Sequence, residues 1–200
     1  MRKICERNVH AHEHTHIRNI EFIINNEYKL VYCGMVKAAS TTWFYHFAKL
    51  AGNKPDDIRH STYTLIEFLH KNGYPRPSLK YLRDAVADED SITFLIARDP
   101  FERLLSSYID KIVDQSEIGY DKLRCDITKN RENGWCVPTF SEFIDHVIAE
   151  HASGNVVDLY WDTYNNVCTP CLVNFTHILH MNNMHEEQLV IFDKVRSKRN

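Results

Sequence analysis

One stretch of the chain, residues 31–43, constrains the fold more than any other. A short apolar run leads to Lys37, small and hydroxyl-bearing residues follow it, and an aromatic-rich helical pattern then begins. This order predicts a strand, a tight turn and the first turn of a helix. Such a turn presents backbone N–H groups, hydroxyls, the positive end of the helix dipole and one cationic side chain, which together suit a phosphate or a sulfate.

The stretch differs from a Walker A loop. The pattern Gly-x-x-x-x-Gly-Lys-Ser/Thr is absent, and Lys37 precedes the hydroxyl residues instead of following a glycine run. Taken alone, the stretch is equally compatible with an ordinary strand-to-helix turn that carries an exposed lysine.

A second segment of the same kind follows residues 91–97, which are rich in β-branched residues and predict a core strand. Arg98 is expected to project from the end of that strand, and the helix predicted after it carries Ser106. An arginine fork and a hydroxyl can together hold a phosphate. The alternative is a plain helix start, with Asp99 as its cap and Arg103 in a surface ion pair. Two anion-competent loops after two core strands indicate a ligand with two separated anionic groups.

The remaining pattern predicts an α/β fold. Strands are expected at 28–35 and 91–97, helices at 42–51, 58–71, 79–86, 100–114 and 138–150, and a polar loop over 119–134. In the last helix, Thr139 is the expected N-cap and Glu142 occupies the capping-box position. Two strand–loop–helix units predict a P-loop-like parallel sheet flanked by helices, in a single domain, with sites at the carboxyl ends of the strands.

Composition limits the class of partner. The 200 residues carry a formal net charge of −3, so there is no global basic field of the kind that binds nucleic acid, and no nucleic-acid partner is expected. No apolar run is long enough to span a bilayer, and the first residues lack the apolar core of a signal peptide, so no membrane contact by this segment is expected. Residues 1–20 are polar and histidine-rich, and are predicted to be a poorly ordered lead-in to one domain over 21–200.

Six cysteines permit three disulfides in fifteen pairings, or free thiols, and their number does not choose between these. The Cys168-x-x-Cys171 pair is compatible with a zinc half-site completed by His177 and His180, with a redox pair, or with a structural disulfide. The sequence Asn174-Phe175-Thr176 is a glycosylation sequon within an apolar run. A buried, unmodified asparagine is as compatible with that run as a glycan site.

Several motifs together resemble the Golgi carbohydrate sulfotransferases of the HNK-1 and chondroitin 4-O-sulfotransferase group. The resemblance covers about residues 5–190 and depends on order and spacing more than on any one motif. The matching elements are the Lys37-x-x-Ser40-Thr41-x-Trp43 loop after Tyr32-Cys33, the Arg-Asp-Pro-Phe-Glu-Arg-Leu-x-Ser-x-Tyr segment over 98–108, the helix start at 138–143, and Trp161 followed by Cys168-Thr169-Pro170-Cys171.

The resemblance implies the sulfotransferase fold and 3′-phosphoadenosine 5′-phosphosulfate as donor, with no metal. The residues it assigns to the 5′-phosphosulfate are Lys37, Ala38, Ala39, Ser40, Thr41, Thr42 and Trp43. It assigns the 3′-phosphate to Arg98 and Ser106. Lys37 is then the catalytic cation that stabilises developing charge, and His60 the catalytic base that takes the acceptor proton. His46 is the rival base, although a histidine between aromatic residues on a helix more often packs than catalyses.

The resemblance also implies an anionic glycan as acceptor, location in the Golgi lumen, a structural role for the cysteines there, and a type II membrane protein as the full-length relative. Two departures bear on the loop, because Val36 and Ala39 stand where the family usually has proline and often glycine. Ala39 allows a close approach of the backbone to a ligand if its φ is negative. The chain is also shorter at both ends than the family, as a fragment, a shortened relative or an inactive one would be.

Two other functions compete with this hypothesis. The first is a non-catalytic glycan- or nucleotide-binding remnant of the same fold, suggested by the short ends. The second is a kinase-like phosphate-handling enzyme, which has less support because neither a Walker lysine nor an evident magnesium carboxylate accompanies the loop.

Overall fold

The computed structural model describes residues 17–114, 118–129, 131 and 134–197. The predicted lead-in over 1–20 therefore lies largely outside the described residues. The chain divides into two compact units. The described residues of unit 1 are 17–98 and 163–197, and those of unit 2 fall within 99–162.

Unit 1 contains a four-stranded sheet in the order β1-β2-β3-β4. The strands are β1 (Phe22–Asn25), β2 (Leu30–Cys33), β3 (Ile92–Ala97) and β4 (His177–His180). Strands β2, β3 and β4 run parallel, whereas β1 pairs antiparallel with β2 at one edge. The predicted α/β fold is confirmed, with a mixed sheet in place of a wholly parallel one.

The two central strands are the ones that the sequence predicts. All four residues of β2 are buried, as are the first five of β3, which is expected of parallel strands covered on both faces. The register pairs Leu30 with Ile92 and Cys33 with Leu95, so the carboxyl ends of β2 and β3 lie at the same edge of the sheet. The segments that follow these two strands therefore start side by side.

Helices flank the sheet of unit 1. They are α1 (Ser40–Leu50), α2 (Pro55–Arg59), α3 (Leu65–Lys71), α4 (Leu79–Ala87), α8 (Tyr164–Val167) and α9 (Met184–Ser197), the last preceded by a 3₁₀ turn (Met181–Asn183). The single helix predicted over 58–71 is wrong, because the chain leaves the helical conformation between α2 and α3. Thr64 and Glu67 form a capping box that starts α3 afresh.

An aromatic cluster holds α1 against the sheet. Tyr32 on β2 and Phe94 on β3 stack with their ring centroids 4.8 Å apart, and Trp43 of α1 meets Phe94 edge-on at 4.6 Å. Phe47, one turn further along α1, stacks on Tyr32 at 5.8 Å. Each such pair adds about 0.5–1.5 kcal/mol beyond the burial of its surface. The cluster therefore fixes the position of α1, and with it the N-terminus of that helix.

Unit 2 is helical. It contains α5 (Pro100–Ser107), a π-helical turn (Tyr108–Val113), a 3₁₀ turn (Ile118–Tyr120), α6 (Asp121–Ile127) and α7 (Phe140–Ala152). The extent predicted for the helix from 100 is confirmed, although its second half has the wider π winding. The loop predicted over 119–134 is wrong where α6 forms. The start of α7 is confirmed, because Thr139 and Glu142 make the predicted capping box.

The core of unit 2 consists of Ile112, Phe143, Val147, Val157 and Trp161. The indole N–H of Trp161 donates to the Glu150 carboxylate over 2.6 Å, so this tryptophan has a structural role. In the described part of the chain, no helix is both long and apolar enough to cross a bilayer.

A buried arginine ties α5 to the end of unit 2. Arg103 is only 6% exposed, and its guanidinium donates to the backbone carbonyls of Tyr160, over 3.0 Å, and Asp162. The surface ion pair considered for Arg103 is therefore wrong. An arginine is suited to this position because its fork can satisfy two carbonyls at once.

Candidate functional site

The loop after β2 is strongly bent. Gly34 donates its N–H to the carbonyl of Glu21 over 2.8 Å, and a Cβ at Gly34 would lie 2.5 Å from the ring of Phe44. Lys37 has φ 62° and Ala39 has φ 56°, both in the left-handed region. The condition placed on Ala39, a negative φ, is not met. Alanine occupies here a conformation that glycine, the residue that the family often has at this position, adopts with less strain.

Helix α1 begins directly after this loop. Ala39 is its N-cap residue and offers no side-chain hydrogen bond, so the cap leaves the N–H groups of the first turn to other partners. Ser40 is buried, whereas Thr41 and Thr42 are exposed. A helix of 11 residues with an uncapped N-terminus, next to a half-buried lysine, provides donors and positive potential for an anion.

The end of β3 meets this loop. One terminal nitrogen of Arg98, Nη1, donates to the backbone carbonyl of Lys37 over 2.9 Å. The structure thus brings together the two residues that the sequence assigns to separate anion-binding loops. Both follow the carboxyl ends of adjacent parallel strands, where ligands bind in open α/β sheets.

Tyr164, which no motif in the sequence marks as a site residue, anchors the end of β3. Its hydroxyl accepts the backbone N–H of Arg98 over 3.1 Å and donates to the carbonyl of Ile96 over 2.9 Å. The tyrosine therefore bridges the backbone on both sides of one residue and fixes the point from which Arg98 projects. Tyr164 lies 66 positions from Arg98 in the sequence, and no local sequence pattern predicts such a contact.

A disulfide joins the start of the loop to the same distant segment. Cys33, the last residue of β2, is bonded to Cys168, which follows α8. Both the zinc half-site and the redox pair considered for Cys168 and Cys171 are therefore wrong, since a disulfide sulfur is not a thiolate ligand. Cys171 is also disulfide-bonded, and Cys125 pairs with Cys136 within unit 2. The residues described contain no group of three or more His, Cys, Asp and Glu that could hold a metal ion.

Ser106 lies in unit 2, half-buried in the last turn of α5. Asp99 caps that helix, and its carboxylate accepts the N–H groups of Phe101 and Glu102, each over 3.0 Å. The capping role considered for Asp99 is thus confirmed, and it does not compete with a ligand role for Ser106. The neighbouring Ser107 is buried and donates to the carbonyl of Tyr160 over 2.6 Å, a structural bond.

The two candidate bases have different environments. His60 is exposed at the end of α2, with its ring Nδ1 2.9 Å from the carbonyl oxygen of Asp56. A carbonyl only accepts, so Nδ1 carries the proton and Nε2 of the neutral ring has a free lone pair. His46 packs edge-on against Trp43 and Phe192, and burial, with a smaller effect of Lys49, lowers the pKa of His46. The expectation that His46 packs is confirmed.

A buried carboxyl lies directly before β1. Glu21 is 4% exposed, and burial raises its pKa to about 7, although the positive charges of Arg18 and Arg76 act in the opposite direction. Its backbone carbonyl is the acceptor of the Gly34 N–H. Because burial shifts the ionisation of Glu21 toward the protonated form, this carboxyl adds less negative charge next to the loop near neutral pH than an exposed glutamate would.

Comparison with known proteins identifies the family. A profile of the sulfotransferase family matches residues 20–199. The chain is 22% identical to carbohydrate sulfotransferase 8 of Homo sapiens over 189 residues, which are 88% of this chain and 43% of the relative. It is 27% identical to carbohydrate sulfotransferase 10 of Pongo abelii over 179 residues, 81% of this chain and 49% of the relative.

The similarity to carbohydrate sulfotransferase 11 of Rattus norvegicus is 23% over 168 residues, 76% of this chain and 46% of that relative. The chain therefore spans about half the length of the curated relatives that it matches. No solved structure matches it significantly. The profile covers nearly all of the described residues, and both loops lie within it. The chain thus belongs to the sulfotransferase family, as its motifs predict.

Proposed function

We propose that the chain is a carbohydrate sulfotransferase domain. It transfers a sulfuryl group from 3′-phosphoadenosine 5′-phosphosulfate to a hydroxyl of an anionic glycan, in the Golgi lumen. The observation that carries the proposal is the contact between Arg98 and the Lys37 loop at the carboxyl ends of two adjacent parallel strands. The names of the relatives supply the carbohydrate as acceptor class.

The hydrogen-bond donors and positive charges at the candidate site fit a nucleotide with two anionic groups. The Lys37 ammonium, the uncapped N–H groups at the start of α1 and the hydroxyls of residues 40–42 take the 5′-phosphosulfate. The guanidinium of Arg98 binds the 3′-phosphate. Ser106 is assigned to the same phosphate from its sequence motif alone. Trp43 is 2% exposed within the aromatic cluster, so its part in binding is through the backbone.

The proposed reaction requires a base and charge stabilisation. An acceptor hydroxyl oxygen forms a bond to sulfur, the bond from sulfur to the bridging oxygen breaks, and the 5′-phosphate keeps that electron pair. The Lys37 ammonium stabilises the charge that develops on the oxygens around sulfur. The acceptor proton passes to Nε2 of His60, the nitrogen left free by the bond from Nδ1 to Asp56.

Isothermal titration with adenosine 3′,5′-bisphosphate, the nucleotide product, tests donor binding. Removing one charged hydrogen-bonding group costs about 1.5–3 kcal/mol, so Lys37→Ala and Arg98→Ala should each weaken binding by roughly 10- to 100-fold. Lys49→Ala is the matched control, because it removes a lysine from the other end of α1 and should leave the affinity unchanged. Absence of binding, or equal affinities for parent and both variants, would contradict the proposal.

The alternative function is a non-catalytic glycan- or nucleotide-binding remnant of the fold, in which the loops bind their ligand without turnover. Transfer of radiolabelled sulfate to desulfated chondroitin or dermatan separates the two functions, since turnover excludes the remnant. In an active protein, His60→Ala should abolish transfer while leaving bisphosphate binding intact, because the base touches only the acceptor.

A further inference from the structure

The sequon Asn174-Phe175-Thr176 has no place in the proposed sulfuryl transfer. It is the only Asn-x-Ser/Thr sequence among the 200 residues. The apolar run around it suggested a buried asparagine as readily as an accessible one. In the structure Asn174 is exposed, between the buried Val173 and the half-buried Phe175, in the segment that leads into β4. The side chain that a glycan would modify is therefore accessible.

We infer that Asn174 carries an N-linked oligosaccharide, an inference that depends on the luminal location proposed above. The attachment forms a bond between the side-chain nitrogen of Asn174 and C1 of the first sugar. The bond from C1 to the pyrophosphate of a lipid-linked donor breaks, the pyrophosphate keeps the electron pair, and the amide proton is lost to a base. The disulfides Cys33–Cys168 and Cys125–Cys136 support an oxidising compartment, where such donors are found.

The position of Asn174 separates the glycan from the candidate site. Strand β4 runs parallel to β3 and begins at His177, so Asn174 lies at the amino end of the parallel strands. Lys37 and Arg98 follow the carboxyl ends of β2 and β3, at the opposite edge of the sheet. A sugar at Asn174 therefore leaves the donor loops open.

The surroundings of the sequon suit a hydrated sugar. A cavity of about 290 Å³ adjoins it, with Thr176 and His177 in its lining. Asp90, Ser91 and Lys194 contribute further polar groups to the same lining. A first sugar can therefore lie over polar surface.

The hydroxyl of Thr176 indicates when attachment takes place. It accepts the backbone N–H of Thr93 and donates to the carbonyl of Thr93, both over 3.0 Å, so in the folded chain it is occupied by β3. The transferase needs the hydroxyl of the third sequon residue in order to bind the acceptor segment. The glycan is therefore added before the segment leading into β4 docks on β3, while the chain is still unfolded there.

Translation of residues 1–200 behind a cleavable signal peptide, into microsomes, tests the inference. Chain that has entered the microsomes is protected from added protease. On treatment with peptide-N-glycosidase F, this protected chain should show a single shift in electrophoretic mobility. Asn174→Gln should lose that shift, Thr176→Ser should retain it, and Asn155→Gln, an exposed asparagine outside any sequon, should retain it as well. Protease-protected parent chain that shows no shift would overturn the inference, as would a shift that survives in Asn174→Gln.

A second experiment tests whether the glycan is attached before the chain folds. Protein folded without the glycan should not be modified when it is presented to the solubilised transferase and its lipid-linked donor, whereas the same protein reduced and unfolded should be. Equal modification of both forms would refute the claim that attachment precedes folding. Titration with adenosine 3′,5′-bisphosphate distinguishes a failure of this inference from a failure of the proposed function. Asn174→Gln should bind the nucleotide like the parent. A glycosylated parent that does not bind the nucleotide would refute the proposed donor site but not the glycan.

Discussion

At residue 39 the backbone takes a conformation that alanine rarely adopts. Ala39 has φ 56°, and Lys37, two residues earlier, has φ 62°. Left-handed residues on both sides of Ala38 turn the chain sharply between β2 and α1, in the manner of the backbone nests that bind anions. The loop is thus sharply bent although it lacks the glycine that would adopt this conformation with least strain.

Ala39→Gly should stabilise the protein. The left-handed conformation costs an alanine about 1–2 kcal/mol. Glycine loses more conformational entropy on folding than alanine does, which lowers the free energy of unfolding by about 0.4–1 kcal/mol. A net gain of roughly 0.5–1 kcal/mol in the free energy of unfolding is therefore expected. Ala38→Gly is the matched control, since Ala38 is buried and its φ is not positive, and it should destabilise. Urea denaturation measures both, and a less stable Ala39→Gly variant would contradict the strain argument.

The residues of the candidate site differ in how far sequence could predict them. Lys37 and Arg98 could be found because each follows a strand whose apolar run is visible in the sequence. The left-handed φ of Ala39 could not, because alanine carries no signal for it. Tyr164 and Cys168 could not be placed either, since their partners Arg98 and Cys33 lie 66 and 135 positions away and only the folded sheet brings them together.

Among the elements, α1 depends on a close approach that only glycine permits. A Cβ on Gly34 would lie 2.5 Å from Cε1 and Cζ of Phe44, in the first part of α1. The φ of Gly34 is not positive, so the requirement is one of space alone. The packing of α1 against the end of β2 therefore sets where the uncapped N-terminus of that helix lies.

Gly34→Ala should destabilise the protein by about 1–3 kcal/mol, because overpacking forces the ring of Phe44 or the backbone to move. The double variant Gly34→Ala with Phe44→Leu should be more stable than the sum of the two single changes predicts, since the smaller side chain frees space for the methyl group. Thermal unfolding of the four proteins in this cycle measures the coupling. Strict additivity would show that the steric clash is not the cause.

The elements that the sequence predicted correctly have strong local signals. Strands β2 and β3 are continuous apolar runs, and α7 has its Thr139–Glu142 capping box. The edge strands β1 (Phe-Ile-Ile-Asn) and β4 (His-Ile-Leu-His) contain apolar runs of only three and two residues, too short for a pattern to be distinguished from a loop. Helix α6 was missed because its sequence is polar, and its only buried side chain is Arg124, which donates to the carbonyls of Lys111 and Asp114.

For the molecule as a whole, a buried acid links stability to pH. Burial raises the pKa of Glu21 from 4.5 to about 7. Between these values the folded chain binds more protons than the unfolded chain, so stability falls as the pH rises. The contribution of Glu21 is fully present below 4.5 and is lost as the pH passes through 7.

Comparison with Glu21→Gln isolates this effect, because other titrating groups cancel in the difference. The parent should lose about 3 kcal/mol relative to the variant between pH 4.5 and pH 7. Urea denaturation across this range provides the measurement. A difference between the two proteins that stays constant with pH would show that Glu21 titrates as an exposed glutamate does.

The bond between Cys33 and Cys168 has a consequence for biosynthesis. The loop of Lys37 and the strand that ends before Arg98 leave the ribosome early, yet Tyr164 and Cys168, which tether both, are translated only after all of unit 2. A nascent chain that pauses before residue 164 contains both candidate anion-binding loops but lacks the residues that tether them. The candidate site therefore assembles only late in synthesis. A translation product truncated before residue 164 would lack the assembled site even if both of its loops were complete.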